Sequence, residues 1–149
     1  MSSKKNKIYI IAEIGVNHNG SYVLAKKLID KAIICGADAV KFQTFNYKYQ
    51  LNAKYASKES IKFTKSLQLT SAEFINLKKY CDLKNIDFIS TPFDPLSAKF
   101  LLKIKTNIFK IASPSIVDLQ LLKEVSKFNK KVLISTGMAT YDEIKRALS

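Results

Sequence analysis

The sequence is short of the residues that several common kinds of site require. It contains a single histidine, His18, and one histidine cannot by itself hold a metal ion. Its two cysteines, Cys35 and Cys81, lack CxxC spacing and fall in predicted helices, which favours reduced core thiols over a disulfide or a metal centre. Arginine occurs only at Arg146, although the formal net charge is +13. We therefore expect no disulfide and no metal ligand set in this chain.

The positive charge comes almost entirely from lysine. A charge of this size suits nucleic acid, an anionic substrate, or simply well-solvated helix faces, and most of the lysines lie where such faces are predicted. Bidentate reading of bases depends heavily on arginine, which is nearly absent. We therefore expect no nucleic-acid partner.

Long hydrophobic runs are also missing. No apolar run reaches the roughly 18 residues that suggest a membrane-spanning helix, and no leader with a small-residue cleavage site precedes the first predicted strand. A hydrophobic fraction of 47% is nevertheless enough to bury a core. We expect no membrane partner and a cytoplasmic location.

The sequence does contain a repeated pattern of strand followed by helix. Apolar, β-branched runs recur as IYIIAEI, DAVKFQTF, DFISTPF, IFKIAS and KVLIST, each followed by apolar residues at helical spacing. The pattern predicts an α/β fold with a parallel sheet, either doubly wound or closed as a barrel, and no GxGxxG supports a dinucleotide-binding sheet. A (β/α)8 barrel of the TIM type needs eight units and typically ~250 residues. Residues 1–149 would then supply about five of the eight units.

Several helix ends are marked by local residue patterns. Thr70 with Glu73, and Thr140 with Glu143, have the spacing of capping boxes. Three further features predict helix ends or starts, namely Gly36 as a C-terminal glycine, Leu69 with Phe74 as a hydrophobic staple, and Asp94-Pro95 as a helix start.

Polar residues gather at the carboxyl ends of the five predicted strands. They are Glu13, Lys41, Gln43, Ser90, Thr91, Lys110, Ser113, Ser135 and Thr136. In barrels this end carries the chemistry. Lys41 and Lys110 interrupt runs that should be buried, and a buried ammonium group is costly unless it meets an anion. The set predicts an anion pocket that also holds the carboxylate of Glu13.

Each of these residues also has a simpler interpretation. Glu13 alone could be a surface or salt-bridged residue, and both lysines could extend to the rim. We interpret His18 as a turn residue that holds the NHNG loop. The lysine-rich and tyrosine-rich residues 46–66 could grip single-stranded nucleic acid, but we favour a mobile active-site loop.

Five motifs together carry a resemblance to a known family. IAEIGVNHNG, GADAVKFQTF, ISTPFD, FKIASPS and LISTGMAT, in this order, resemble the N-terminal half of sialic acid synthases, which include the N-acetylneuraminate and legionaminate enzymes. VNHNG after EIG is more similar to these two branches than to the pseudaminate branch.

The resemblance implies a reaction and a set of site residues. It implies condensation of phosphoenolpyruvate with an N-acylated hexosamine, either N-acetylmannosamine or a bacillosamine-derived analogue, on a (β/α)8 barrel. Glu13 would be the catalytic carboxylate, and Gln43 and Asn17 would lie near the sugar. The phosphoenolpyruvate-binding residues implied by the matching motifs are Lys41, Thr91, Lys110, Ser113 and Ser135.

The resemblance also implies parts that this chain does not contain. The family's manganese or magnesium ion is held by histidines on later strands, and a C-terminal antifreeze-like domain reaches over the partner's site in a homodimer. We therefore expect residues 1–149 to be the N-terminal portion of a single barrel and to be inactive alone. Two alternatives stay open: a Schiff-base aldolase that uses Lys41 or Lys110, and a non-catalytic remnant or basic binding module.

Overall fold

The computed structural model describes residues 8–51 and 54–149. Its elements, in chain order, are β1 Ile11–Gly15, α1 Tyr22–Ile34, β2 Ala39–Thr44, α2 Tyr47–Gln50, α3 Lys58–Leu67, α4 Ser71–Leu83, β3 Asp87–Pro92, α5 Pro95–Lys103, β4 Ile108–Ile111, a short 3-10 helix Ser113–Val117, α6 Leu119–Ser126, β5 Lys131–Ile134 and α7 Tyr141–Leu148.

The five strands form one parallel sheet in the order β1-β2-β3-β4-β5. The predicted α/β fold with a parallel sheet is confirmed. A doubly wound sheet reverses its strand order at a switch point, and the sheet described here has no such reversal. Sequential order is the order that a barrel requires, so it agrees with the predicted barrel, whose closure stays a prediction.

The sheet has two faces of different character. Side chains alternate along a strand, and residues in register on neighbouring parallel strands share a face. The face toward the helices is the hydrophobic core, to which Val40, Phe42, Phe88, Phe109 and Ile111 contribute. The opposite face, called here the inner face, carries Glu13, Lys41, Gln43, Thr91 and Lys110. The residue pattern therefore separates the core from the predicted site.

The predicted helix ends are found in the structure. Thr70 and Thr140 each accept from the N3 amide of their helix, while Glu73 and Glu143 accept from the N-cap amide, so both capping boxes are present. Asp94 caps α5, which begins at Pro95. The amides of Gly36 and Ala37 donate to Ile33 and Ala32, as in a Schellman motif. Leu69 and Phe74 are both buried, as their predicted staple requires.

Two expectations need correction. Residues 46–66 were expected to form a loop, but they contain α2 and most of α3, while residues 52 and 53 lie outside the described part. Ser57 caps α3 by accepting from the Ser60 amide, which explains where this helix starts. Cys81 is buried in the core as expected, whereas Cys35 is exposed because it caps the C-terminus of α1.

The loop between β1 and α1 packs directly on the end of α3. Gly20 has φ +73°, and a Cβ at this position would overlap the carbonyl oxygen of Ser66. Glycine is therefore required both by backbone conformation and by the approach of α3. The contact fixes α3 beside the carboxyl end of β1.

No helix among the described residues is long and apolar enough to cross a membrane.

Candidate active site

Glu13 and Lys41 form a charged pair on the inner face, beside the sheet edge that β1 provides. They are register partners on β1 and β2, and the Lys41 ammonium is ion-paired with the Glu13 carboxylate. The Lys41 side chain is 14% exposed, while that of Glu13 is 51% exposed. The carboxylate thus reaches outward from a partner that is nearly covered, and a ligand on this face can contact it.

The absence of a side chain at Gly15 leaves room for the Glu13 carboxylate at the end of β1. Its φ is +56°, and the strand register shifts between Glu13 and Gly15. A Cβ at residue 15 would lie 3.2 Å from Glu13 Oε1 and 3.6 Å from Gln43 Nε2. The carboxylate and the Gln43 amide therefore share the space above Gly15.

Lys110 is the second ammonium group of the inner face. Its Nζ donates a hydrogen bond of 2.5 Å to the carbonyl oxygen of Ile111, and its side chain is half-buried. Burial lowers the pKa of Lys110, and the like charge of Lys41 lowers it further, whereas Glu13 raises it. The pKa of Lys110 therefore responds to both members of the Glu13–Lys41 pair.

Ser113 and Ser135 follow the carboxyl ends of β4 and β5. The Ser135 amide donates to the Ile111 carbonyl oxygen at 3.0 Å, the same oxygen that accepts from Lys110. A Cβ on Gly137 would lie 3.0 Å from Ser113 Oγ, so the turn after β5 touches the start of the 3-10 helix. The Lys110 side chain and the Ser135 amide therefore meet at the Ile111 carbonyl oxygen, while Ser113 lies against the turn after β5.

Thr91 lies on β3, between the strand that carries Lys41 and the strand that carries Lys110. It is the register partner of Gln43 and is 2% exposed, on the inner face of β3. Its neighbour Ser90 points the other way, and the Ser90 and Thr44 hydroxyls lie 2.7 Å apart on the helix side. Ser90 therefore belongs to the core and is removed from the predicted set of strand-end residues.

Asn17 and His18 lie in the turn that follows β1. Asn17 is exposed, and its backbone amide donates to the carbonyl oxygen of Ile14. His18 is 1% exposed, and its Nδ1 accepts from the Gly20 amide at 3.1 Å, which agrees with its interpretation as the residue that holds the loop. Among the described residues, no hydrogen bond joins the Asn17 side chain to the other site residues.

The charges of the inner face suit an anion. Two ammonium groups, Lys41 and Lys110, face one carboxylate, so the three groups together carry an excess positive charge. Serine hydroxyls and strand-end amides are short donors for phosphate or carboxylate oxygens. The arrangement can bind a small, multiply charged anion beside a carboxylate able to move a proton.

Among residues 8–51 and 54–149, no group of three or more His, Cys, Asp and Glu side chains could hold a metal ion. The divalent ion implied by the resemblance has no ligand set in this part of the chain, and no step is derived through it.

Comparison with known proteins decides the family. The model of the NeuB family matches residues 28–149. The chain belongs to the NeuB family. This NeuB-family chain is 44% identical to the N,N'-diacetyllegionaminic acid synthase of Campylobacter jejuni, over 96% of its own length and 46% of that protein. It is 31% identical to the human N-acetylneuraminate-9-phosphate synthase, over 93% and 41% of the two chains.

A solved structure gives the same result. The N-acetylneuraminic acid synthetase of Leptospira borgpetersenii, in complex with citrate, matches with a TM-score of 0.90 and 36% identity, over 96% of this chain and 49% of that one. Structural neighbours of this NeuB-family chain are synthases with folds of the TIM-barrel type. The chain thus spans less than half the length of the relatives it matches.

Sequence reasoning missed three features of the site. They are the 3-10 helix that begins at Ser113, the Ile111 carbonyl oxygen that accepts two hydrogen bonds, and the position of the Glu13 carboxylate above Gly15. Only the last had a local indication, since a glycine two residues after Glu13, the last polar residue of the strand, permits such an approach. A carbonyl oxygen that accepts from both the Lys110 side chain and the Ser135 amide cannot be predicted from residue type.

Proposed function

We propose that this chain is the N-terminal portion of a (β/α)8 synthase that condenses phosphoenolpyruvate with an N-acylated hexosamine to give a nonulosonic acid and phosphate. The hexosamine is N-acetylmannosamine or a bacillosamine-derived analogue. Carbon 3 of the enol attacks the sugar aldehyde, water adds at carbon 2, and the carbon–oxygen bond to phosphate breaks. The relatives that share the family are sialic and legionaminic acid synthases, which supports this reaction class.

One observation carries the proposal: the ion pair of Glu13 with Lys41 lies on the same face as Lys110. Phosphoenolpyruvate carries both a carboxylate and a phosphate, and two separate ammonium groups match these two anionic ends. We assign Lys41, Thr91, Lys110, Ser113 and Ser135 to its binding.

Glu13 is proposed to act where the sugar meets the enol. Its exposed carboxylate can accept or return a proton there, and the Gln43 amide beside it can donate to a sugar oxygen. Asn17 is assigned more weakly to the sugar, from its place in the exposed turn.

Further parts of the proposal rest on the family resemblance. They are a manganese or magnesium ion bound outside this chain, a homodimer in which a C-terminal antifreeze-like domain covers the partner's site, and a cytoplasmic location. When bound, the divalent ion would polarise the sugar aldehyde.

A chimera tests the proposal. Residues 1–149 replace the matched N-terminal part of the Campylobacter jejuni relative, and phosphate release is measured with phosphoenolpyruvate, manganese and each candidate hexosamine. We expect release that depends on both phosphoenolpyruvate and one sugar. A folded chimera that releases no phosphate, beside an active unsubstituted Campylobacter jejuni enzyme, contradicts the proposal, and so does release without sugar.

The Schiff-base aldolase is kept as a second candidate because the pKa of Lys110 is lowered. A lowered pKa increases the neutral amine that attacks a carbonyl group. Borohydride reduction in the presence of pyruvate would attach a three-carbon acid to Lys110 in an aldolase. We expect intact-mass measurement to show no such adduct, and a Lys110 adduct would favour the aldolase.

A further inference from the structure

His18 is a buried titratable group that the proposed reaction does not use. It is 1% exposed, and its Nε2 has no hydrogen-bond partner among the described residues. Its ring packs against Phe42 of β2 with centroids 6.1 Å apart. Buried polar atoms without partners usually cost ~1–3 kcal/mol, so a histidine at this position calls for an explanation.

The loop around His18 is a chain of tight turns that starts at the site. The amides of Asn17, Asn19 and Ser21 donate to Ile14, Val16 and His18 at 2.9, 2.9 and 2.8 Å. Asn19 and Gly20 have φ values of +49° and +73°. Such conformations suit a type I′ turn, which a non-glycine residue adopts at some cost.

The His18 side chain stabilises the last of these turns. Nδ1 accepts from the Gly20 amide, two residues further on, as an Asn or Asp side chain does in an Asx turn. Because Nδ1 accepts, the proton of the neutral ring lies on Nε2. The first of these turns begins at Ile14 and contains Gly15, over which the Glu13 carboxylate folds.

We propose that neutral His18 is a positioning residue for Glu13: its ring anchors the turns between Gly15 and Gly20 and so fixes where the Glu13 carboxylate lies. The role in catalysis rests on the proposed function, whereas the anchoring does not. Phe42 from β2 supplies the packing surface, and α3 closes over Gly20 through Ser66.

The electrostatics agree with a neutral ring. Burial lowers the pKa of His18, and the carboxylate of Glu73 on α4 opposes this effect. Phe42 carries no charge, and the Gly20 amide is a donor that a protonated Nδ1 would meet directly. The stability that the neutral ring contributes is complete above the unfolded pKa of about 6.5 and falls as the pH drops below it.

Two labelling experiments test the anchoring without enzyme activity. His18 is the sole histidine, so nitrogen-15 histidine labelling of the 149-residue chain reports one ring by NMR. We expect the tautomer with the proton on Nε2 and a pKa below about 6.5. A proton on Nδ1, or a ring that titrates as in a free peptide, would overturn the proposal.

The chain has four glycines, so nitrogen-15 glycine labelling gives a simple spectrum. In His18→Phe, which keeps an aromatic ring but loses the acceptor, we expect faster Gly20 amide exchange and a shifted Gly15 signal. His18→Asn offers an acceptor near the position of Nδ1 and should restore both. Gly36, at the far end of α1, is the internal control and should not move. An unmoved Gly15 signal in His18→Phe would show that the anchoring does not reach Glu13.

The chimera supplies the catalytic readout. We expect His18→Phe to lower kcat by about tenfold or more with little change in the KM for phosphoenolpyruvate, and His18→Asn to recover most of the loss. Equal losses in both variants, or a loss confined to KM, would contradict a positioning role. A chimera that is inactive before any substitution counts against the proposed function instead, and the glycine spectrum still decides the anchoring.

Discussion

Replacing Glu13 by Gln in the chimera removes one negative charge while keeping the length and shape of the side chain. The substitution leaves the Lys41 ammonium without its ion-pair partner, beside the second ammonium of Lys110. If the carboxylate moves a proton or orients the sugar in the transition state, turnover should fall by about 10²–10⁴-fold.

The expected loss of stability is small by comparison. Glu13 is half exposed, and ion pairs in contact with water contribute roughly 0.2–1 kcal/mol after solvent screening. For a chain of this size or larger, that amounts to a fall in Tm of at most about 4 °C. The two interpretations of Glu13, as a catalytic or a structural residue, therefore differ by orders of magnitude in turnover.

The assay is turnover at saturating substrates together with a thermal melt of the same preparation. Glu124→Gln is the matched control, because Glu124 also pairs with lysines, Lys127 at 3.1 Å and Lys99 at 3.8 Å, but lies on α6. The control should melt slightly early and turn over normally. If Glu13→Gln behaves in the same way as the control, Glu13 is structural and its assignment as the catalytic carboxylate is wrong.

Further substitutions and conditions have defined outcomes. Lys110→Ala in the chimera should raise the KM for phosphoenolpyruvate roughly tenfold to a hundredfold, since charge-assisted bonds contribute ~1.5–3 kcal/mol, and leave the KM for the sugar nearly unchanged. Because the pKa of Lys110 is lowered, the KM for phosphoenolpyruvate should begin to rise at a lower pH than an ordinary lysine would give. A KM that does not change with pH would show that Lys110 does not bind phosphoenolpyruvate. The 149-residue chain alone, given phosphoenolpyruvate, N-acetylmannosamine and manganese, should release no phosphate, because its inner face and sheet edges are open; turnover at an ordinary enzymatic rate contradicts this. Thr70→Ala should lower the free energy of unfolding in urea by about 1 kcal/mol, and Thr140→Ala by less because α7 buries no residue; equal effects would contradict this.

The elements of the fold were largely predictable because their causes are local. Alternating and continuous apolar runs predict the strands, and side chains such as Thr70 and Asp94 bond to amides only three residues away. The strand order follows from the rule that successive βα units pack side by side. Residues 46–66 were mispredicted because their lysines suggest a solvated loop, although Ser57 supplies a helix cap.

The positions of the candidate residues at the strand ends could be predicted from the sequence, but their geometry could not. A lysine within a buried strand, such as Lys41 or Lys110, is visible in the sequence because its cost requires an anion. Which face Ser90 or Thr91 occupies depends on where the strand register starts, and a shift of one residue exchanges the two. The Lys110 bond to the Ile111 carbonyl oxygen depends on side-chain conformation, which residue type does not determine.

Because Ser66 packs on Gly20, the residue type allowed at position 20 depends on where α3 ends. While α3 ends where it does, no side chain fits at residue 20, so every substitution there is blocked by a backbone atom some 46 positions later. Exchanging residues 46–66 for a shorter crossover removes that carbonyl oxygen and leaves only the cost of the positive φ against a side chain at residue 20. The length of this segment and residue 20 should therefore be varied together in any redesign of the crossover.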